Sequence, residues 1–204
     1  MVHDLKLNVE PGASYLLKKI SRILKEQGIE SYLVGGFVRD MLLGRKTADI
    51  DIAVAADALE IARKVAAAIG GKYVLLDAGN QIGRVVAFED KLEIDFSTLR
   101  SSIEEDLGQR DFTIDAMAID LGKASFEKEH LVFPEVIDPF SGQVDLGRKV
   151  VRAVRESAFT ADPIRLLRAV RLAAELGFRI DGETESLLRR DVSLITGVAG
   201  ERVR

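Results

Sequence analysis

The chain has 204 residues, 47% apolar and 30% charged, with a formal net charge of −4, enough apolar chain for one generous domain or a domain with a smaller one beside it. It has no cysteine and only His3 and His130, which excludes disulfides and thiolate sites and disfavours a zinc or histidine-based hydrolytic centre. No apolar run approaches the roughly 20 residues of a membrane span, and the start, Met1-Val2-His3-Asp4-Leu5-Lys6, lacks a signal peptide's layout, so a cytoplasmic location without a membrane partner is expected.

In chain order, Leu16, Leu17, Ile20, Ile23 and Leu24 recur at helical spacing and predict an amphipathic helix over 14–27, stopped by Gly28. Ser31-Tyr32-Leu33-Val34 reads as a short strand running into Gly35-Gly36, followed by a short helix over 37–43 with Gly44 as its cap. Residues 49–54 read as a second strand and 57–69 as an alanine-rich helix ended by Gly70-Gly71. Strands are expected near 72–76, 82–88 and 91–98, with Glu89-Asp90-Lys91 as a hairpin turn. A short helix near 101–108, a strand over 116–121 and mixed loop and short strand over 122–148 follow.

Beyond Val151 the pattern turns helical. Asp162-Pro163 supplies an N-cap and a first helical position, and the helix runs to about Leu176 with Gly177 as its cap. Leu166, Leu167, Val170 and Ala174 project to one side of it, and Arg165, Arg168 and Arg171 to another. A further helix lies near 182–190. The chain therefore reads as α+β, with a head over 1–150 whose small mixed sheet is flanked by helices, then an all-helical neck over 151–204. Gly200-Glu201-Arg202-Val203-Arg204 resembles the first turn of another helix, so the chain is expected to be a piece of a longer protein. Residues 148–204 hold 12 Lys+Arg against 8 Asp+Glu, whereas the preceding residues hold 17 against 25. A basic C-terminal part suits an RNA partner, although chance asymmetry explains the charge equally well.

Asp49-Ile50-Asp51 carries the first chemical signal. On a strand the two carboxylates share a face, where they repel unless a cation joins them, which suits one or two Mg²⁺ ions. Alone, such a triplet is as readily a solvated surface pair. Gly35-Gly36-Phe37-Val38-Arg39-Asp40 carries the second: glycine lets main-chain N–H groups approach a phosphate, and Arg39 adds a charge. Alone, it is as readily a tight strand-to-helix turn. Together, a phosphate-cradling turn about ten residues before a carboxylate pair meets the two needs of nucleotidyl transfer. Asp95, in Leu92-Glu93-Ile94-Asp95-Phe96, is a candidate third acid, with Glu93 on its face. Arg110 is a candidate triphosphate contact and Asp111 a candidate acceptor for ribose hydroxyls, with an internal ion pair as the plain alternative.

These strings resemble a known family. Tyr32-Leu33-Val34-Gly35-Gly36-Phe37-Val38-Arg39-Asp40-Met41-Leu42-Leu43-Gly44 with Asp49-Ile50-Asp51 resembles the first motif of class II tRNA nucleotidyltransferases and bacterial poly(A) polymerases. Arg110-Asp111-Phe112-Thr113-Ile114-Asp115-Ala116 resembles their RRDFTxNA motif, and the stretch from Asp162 to Arg171 resembles their EDxxR helix. The resemblance implies a nucleotidyltransferase-type head and neck that adds CMP, AMP or both to the 3′ end of tRNA or another RNA without a template. ATP and CTP would be the substrates and pyrophosphate the leaving group. It implies Mg²⁺, two ions, on Asp49 and Asp51; phosphate contacts from Gly35, Gly36, Arg39 and Arg110; base reading by Asp162 and Arg165; and further nucleotide contacts from Arg168 and Arg171. Poly(A) addition, or a degenerate head that holds nucleotide or RNA without turnover, is the alternative. The chain departs from the family pattern at Gln109, where the motif has Arg, at Asp115, where it has Asn, and at Ala161, where it has Glu.

Overall fold

The computed structural model describes residues 4–87, 92–128 and 130–198, so the expected turn at Glu89-Asp90-Lys91 and the expected helical turn after Gly200 lie outside the described residues. The chain forms two compact units, one of Met1–Ile103 with Ala118–Ile137, the other of Glu104–Met117 with Asp138–Arg204.

The first unit contains β1 (Leu5–Asn8), α1 (Pro11–Glu26), β2 (Ser31–Val34), α2 (Gly36–Leu42), β3 (Asp49–Val54), α3 (Ala58–Ile69), β4 (Lys72–Asp77), β5 (Ile82–Ala87), β6 (Leu92–Thr98), β7 (Ala118–Asp120), β8 (Ser125–Glu127) and β9 (His130–Phe133). A six-stranded sheet runs in the order β4-β5-β6-β3-β2-β7, and a three-stranded sheet in the order β1-β9-β8. In the larger sheet β3 and β6 are parallel and the other pairings are antiparallel. The parallel pairing follows from the crossover between them through α3, β4 and β5.

Strict alternation gives this sheet two unlike faces. Ile50, Ile52, Ile94, Phe96 and Val85 are buried, and Gly83 on the same face lets α3 come close: a Cβ there would meet the Ala62 Cβ at 3.0 Å. The Thr98 hydroxyl, also on that face, accepts from the Ala58 N–H at the start of α3. Asp49, Asp51, Glu93, Asp95 and Arg84 have the opposite parity. Asp57 caps α3 by accepting from the N–H groups of Leu59 and Glu60. In α1 the expected positions Leu16, Leu17, Ile20 and Leu24 are buried, whereas Ile23 is only half-buried. The helix starts three residues earlier than expected, at Pro11, which suits a first turn because it has no N–H to satisfy.

The second unit contains α4 (Ile103–Gly108), a 3-10 turn Thr113–Asp115, α5 (Gly142–Arg148), β10 (Val150–Val151), α6 (Ala158–Ala161), α7 (Ile164–Leu176), β11 (Arg179–Ile180), α8 (Gly182–Asp191) and a 3-10 stretch Val192–Gly197. The packing does not divide at residue 150. The main chain of residues 111–113 is tied to residues 152–154: the Thr113 N–H donates to Arg152 O at 2.9 Å and the Val154 N–H to Asp111 O at 3.0 Å. The unit is also not wholly helical, because β10 and β11 pair in parallel. Helix α5 lies within 122–148, where mixed loop and short strand are expected. Its N-terminus is closed by a residue outside it, Asp138, which accepts from the N–H groups of Gly142 and Gln143. In α7 the buried stripe is Ile164, Leu166, Ala169 and Leu172; of the expected side only Leu166 is buried, Leu167 is half-buried, Ala174 is exposed and Val170 is 58% exposed. Gly177 in the left-handed region ends the helix as expected.

Candidate active site

The expected site residues divide between the two units. In the first, register aligns Asp51 with Asp95 and Asp49 with Glu93 across the parallel β3–β6 pair. The antiparallel β5–β6 register sets Arg84 beside Asp95, and the β2–β3 register sets Val34 beside Asp51. Arg84, Asp95, Asp51 and Val34 thus form one row across four strands, on the face away from α3. Asp49 is exposed and Asp51 half-buried.

Gly35 directly follows Val34, so the glycine turn opens at the end of this row. Gly35 has φ 71° and ψ −143°, a conformation that a side chain would strain. Gly36 begins α2, and a Cβ on it would lie 3.3 Å from Arg39 Nη2. Arg39 donates to Asp40, Nε to Oδ1 at 3.0 Å and Nη2 to Oδ2 at 3.1 Å. The expected phosphate cation therefore rests against the glycine turn with a carboxylate counter-ion of its own.

Arg84 is the residue that sequence reasoning missed. Its Nε donates to Asp95 Oδ1 at 2.7 Å and its Nη2 to Asp95 Oδ2 at 2.8 Å, while Nη1 donates to Glu93. The Asp95 hydrogen bonds, chiefly, hold this guanidinium charged well above its ordinary range; burial opposes them, and the fields of Asp95, Glu93 and Asp49 add to them. The expected turn at 89–91 would set Arg84 opposite Phe96, one residue from the Asp95 that the observed register gives it, so the sequence did not point to this pair.

In the second unit, Arg110 donates to Asp106 at 3.3 Å, one helical turn earlier, and its Nε is buried with no hydrogen-bond partner. Asp111 is buried; its Oδ1 accepts from the Phe112 N–H, and Arg168 Nε stands 2.9 Å from its Oδ2. Asp111 and Arg168, expected to meet nucleotide separately, are therefore an ion pair. The Ile164 N–H donates to Asp162 Oδ1 at 3.4 Å, but α7 begins at Ile164, one residue later than expected, so Pro163 rather than Asp162 stands at its N-cap. Arg165 donates to the carbonyls of Gln109 at 2.7 Å and Ala158 at 3.4 Å. Burial lowers its pKa; Asp111 and Asp162 oppose this, and the charges of Arg168 and Arg155 reinforce it. Arg171 faces outward and pairs with Glu175 on its own helix.

The three departures have definite surroundings. Gln109 accepts from Arg155, forty-six residues further along the chain. Asp115 is buried in the 3-10 turn. Ala161 ends α6, and main-chain carbonyls hold Arg165 where the family's Glu would stand nearby. Thr113, in the same motif, donates to Asp145, which also accepts from Arg152.

The family profile for the poly A polymerase head domain matches residues 31–103 and 99–152. The chain belongs to that family. Its members here include homologues among the class II tRNA nucleotidyltransferases. The chain is 39% identical over 186 residues to a CC-adding tRNA nucleotidyltransferase of Geobacter sulfurreducens, covering 91% of this chain and 41% of that protein. It superposes on the Thermotoga maritima CCA-adding enzyme complexed with tRNA(CCA) with a TM-score of 0.82 at 38% identity, over 96% of this chain and 46% of the other. A CCA-adding enzyme solved in complex with ATP gives a TM-score of 0.82 at 37% identity, with the same coverage of 96% and 46%. The chain thus spans less than half the length of these relatives. The profile's end at residue 152 lies close to the expected head boundary, while the packing assigns 104–117 and 138–152 to the second unit.

Proposed function

We propose that the protein transfers CMP and AMP from CTP and ATP, without a template, to the 3′ end of tRNA and releases pyrophosphate. The observation that carries this reading is the carboxylate row of β3 and β6, with a glycine turn opening from Val34 beside Asp51. In the reaction, the RNA 3′-hydroxyl oxygen bonds to the α-phosphorus as the bond to the departing pyrophosphate breaks.

Asp49 and Asp51 fit Mg²⁺: both are hard oxygen donors, they share a sheet face, and one is exposed while the other is half-buried. Among the described residues no group of three or more His, Asp or Glu is arranged to hold a metal, so the fit rests on this pair. When bound there, Mg²⁺ supplies charge neutralisation for the phosphates and acidifies the attacking hydroxyl. The N–H groups of Gly35 and Gly36 and the guanidinium of Arg39 orient the triphosphate, with Arg110 as a further cation.

Asp162 and Arg165 read the base. Cytosine and adenine both present an amino donor beside a ring-nitrogen acceptor, which a carboxylate acceptor beside an arginine donor matches. Uracil and guanine present the reverse order and leave these half-buried polar groups mismatched. The excess of Lys and Arg over residues 148–204 supplies the salt-sensitive attraction for RNA phosphates. The cytoplasm, with its nucleoside triphosphates and tRNA, is the compartment proposed. No helix among the described residues is long and apolar enough to cross a membrane.

The test is incorporation of labelled CTP and ATP, separately and together, with Mg²⁺, on a tRNA lacking its CCA end, with the longest form of the protein run beside this chain. The likeness to a CC-adding enzyme makes CMP addition the first arm. Ordered addition that stops supports tRNA end synthesis, and runs of A support poly(A) addition. Nucleotide binding without incorporation favours a head that holds nucleotide without turnover, the reading that Gln109, Asp115 and Ala161 motivate.

A further inference from the structure

Four carboxylates share one patch of the open sheet face. Asp51 aligns with Asp95 and Asp49 with Glu93 on neighbouring strands, which run about 4.8 Å apart. Arg84 is the cation set among them. Its planar fork takes both oxygens of Asp95, at 2.7 and 2.8 Å, and its remaining nitrogen takes Glu93. Such a bidentate pair is geometrically specific, and a guanidinium does not release it by losing a proton. The side chains of Arg84 and Asp95 are only 27% and 23% exposed, so water has limited access to the pair. Asp49 and Asp51 make no hydrogen bond to Arg84, although the field of Asp49 reaches it. Among the described residues, moreover, no three carboxylates are arranged to hold a metal together.

We propose that Arg84 is a positioning residue that keeps Asp95 and Glu93 as its own counter-ions, so that a divalent cation is held by Asp49 and Asp51 alone and Arg84 sets the affinity of that site. The proposal rests on reading Asp49 and Asp51 as cation ligands. Arg84 acts in two ways. It removes Asp95 as a third ligand, and it lowers the negative potential that the cation meets. Affinity at oxygen sites rises with the number of charged ligands, so releasing Asp95 strengthens binding.

The test is Mn²⁺ binding, followed by the electron paramagnetic resonance signal of the free ion, to the intact protein without nucleotide. Arg84→Gln is expected to bind Mn²⁺ about tenfold more tightly than wild type. Arg84→Gln with Asp95→Asn is expected to return to wild-type affinity. Arg84→Lys, which keeps the charge and loses the fork, is expected to show part of the gain. Asp95→Asn alone is expected to weaken binding a few-fold, because Arg84 loses a counter-ion, but by clearly less than Asp49→Asn. Asp95→Asn and Arg84→Lys, the mildest changes, decide the question if Arg84→Gln fails to fold. Three results overturn the proposal: no gain in Arg84→Gln, wild-type affinity in Arg84→Lys, or a loss in Asp95→Asn as large as that in Asp49→Asn. Unchanged binding in Asp49→Asn instead removes the parent reading of the metal site, and the proposal with it.

Discussion

Arg168 Nε stands 2.9 Å from Asp111 Oδ2, joining the arginine helix to the motif at 110–116. The Asp111 side chain is 5% exposed and the Arg168 side chain 47%. Removing Arg168 leaves a buried carboxylate that still accepts from the Phe112 N–H but has lost its counter-ion. Breaking a fully buried pair costs more, but here water reaches the arginine end, so Arg168→Ala is expected to destabilise by about 2 kcal/mol in urea unfolding. Asp111→Asn with Arg168→Ala is expected to recover most of that loss, because the uncompensated charge is gone. A single-variant cost below about 0.5 kcal/mol would show that the pair is a surface contact.

Base selectivity separates Arg165 from Gln109. Arg165 reaches the main-chain carbonyl of Gln109, not its side chain, and the Gln109 side chain serves Arg155. Arg165→Ala is therefore expected to lower the preference for CTP and ATP over UTP and GTP by about tenfold or more. Gln109→Ala is expected to leave the preference within about twofold, since its carbonyl remains. The readout is the ratio of incorporation rates with each triphosphate. Equal loss in both variants would assign selectivity to the Arg155–Gln109 contact.

Asp51→Ala tests the carboxylate row. Loss of that side chain is expected to reduce transfer by about a thousandfold or more. Asp51 is half-buried, with charged Asp95 and Arg84 on one side of it in the row, so the thermal melt is expected to move little. Full activity in that variant would remove the metal assignment.

The strands of the larger sheet were legible because their apolar and polar residues alternate: Asp49–Val54 matches its expected bounds, and β5 and β6 agree within the described residues. Their order was not legible. The β3–β6 pairing joins residues separated by α3, β4 and β5, and no local pattern encodes it. Asp95 was recognised as an acid while Arg84, its partner on the neighbouring β5, was overlooked because the expected turn gives a register one residue away from the one that pairs them. Strand β1 escaped because Leu5–Asn8 has only two apolar residues and depends on pairing with β9, more than a hundred positions away. Helix α7 was found with Gly177 at its end, but of its buried stripe only Leu166 was. The helical projection put Leu167 and Val170 on the core side, whereas small Ala169 is the fully buried residue.

Acid stability should report the pair between Arg190 and Asp191. Arg190 donates to both Asp191 oxygens, and these bonds hold the carboxyl below its ordinary value of 3.8, with burial opposing and the arginine's charge assisting. A depressed folded-state pKa gives stability that is fully present above the unfolded value and is lost as pH falls through the folded one. The difference in unfolding free energy between wild type and Asp191→Asn is thus expected to be constant at neutral pH and to shrink below about pH 4. A difference that grows in acid would reverse the sign and rule out the pair as its cause.

Two glycines of α5 give opposite expectations from one helix. A Cβ at Gly142 would lie 2.2 Å from the Thr113 carbonyl oxygen and 3.0 Å from the Met117 side chain. The first is main chain and cannot swing aside, so helix or motif must move. Gly142→Ala is expected to destabilise by about 3 kcal/mol. Because Thr113 belongs to the 110–116 motif and donates to Asp145 at 2.8 Å, transfer should fall as well. Gly147 is exposed, and a Cβ there meets nothing within 4 Å. Gly147→Ala should reduce the freedom of the unfolded chain without strain and stabilise by about 0.5–1 kcal/mol. Urea unfolding of the two variants side by side measures both signs. If Gly142→Ala were as stable as wild type, the contact between α5 and Thr113 would have slack, and the tie from Asp145 to Thr113 could not be what positions that motif.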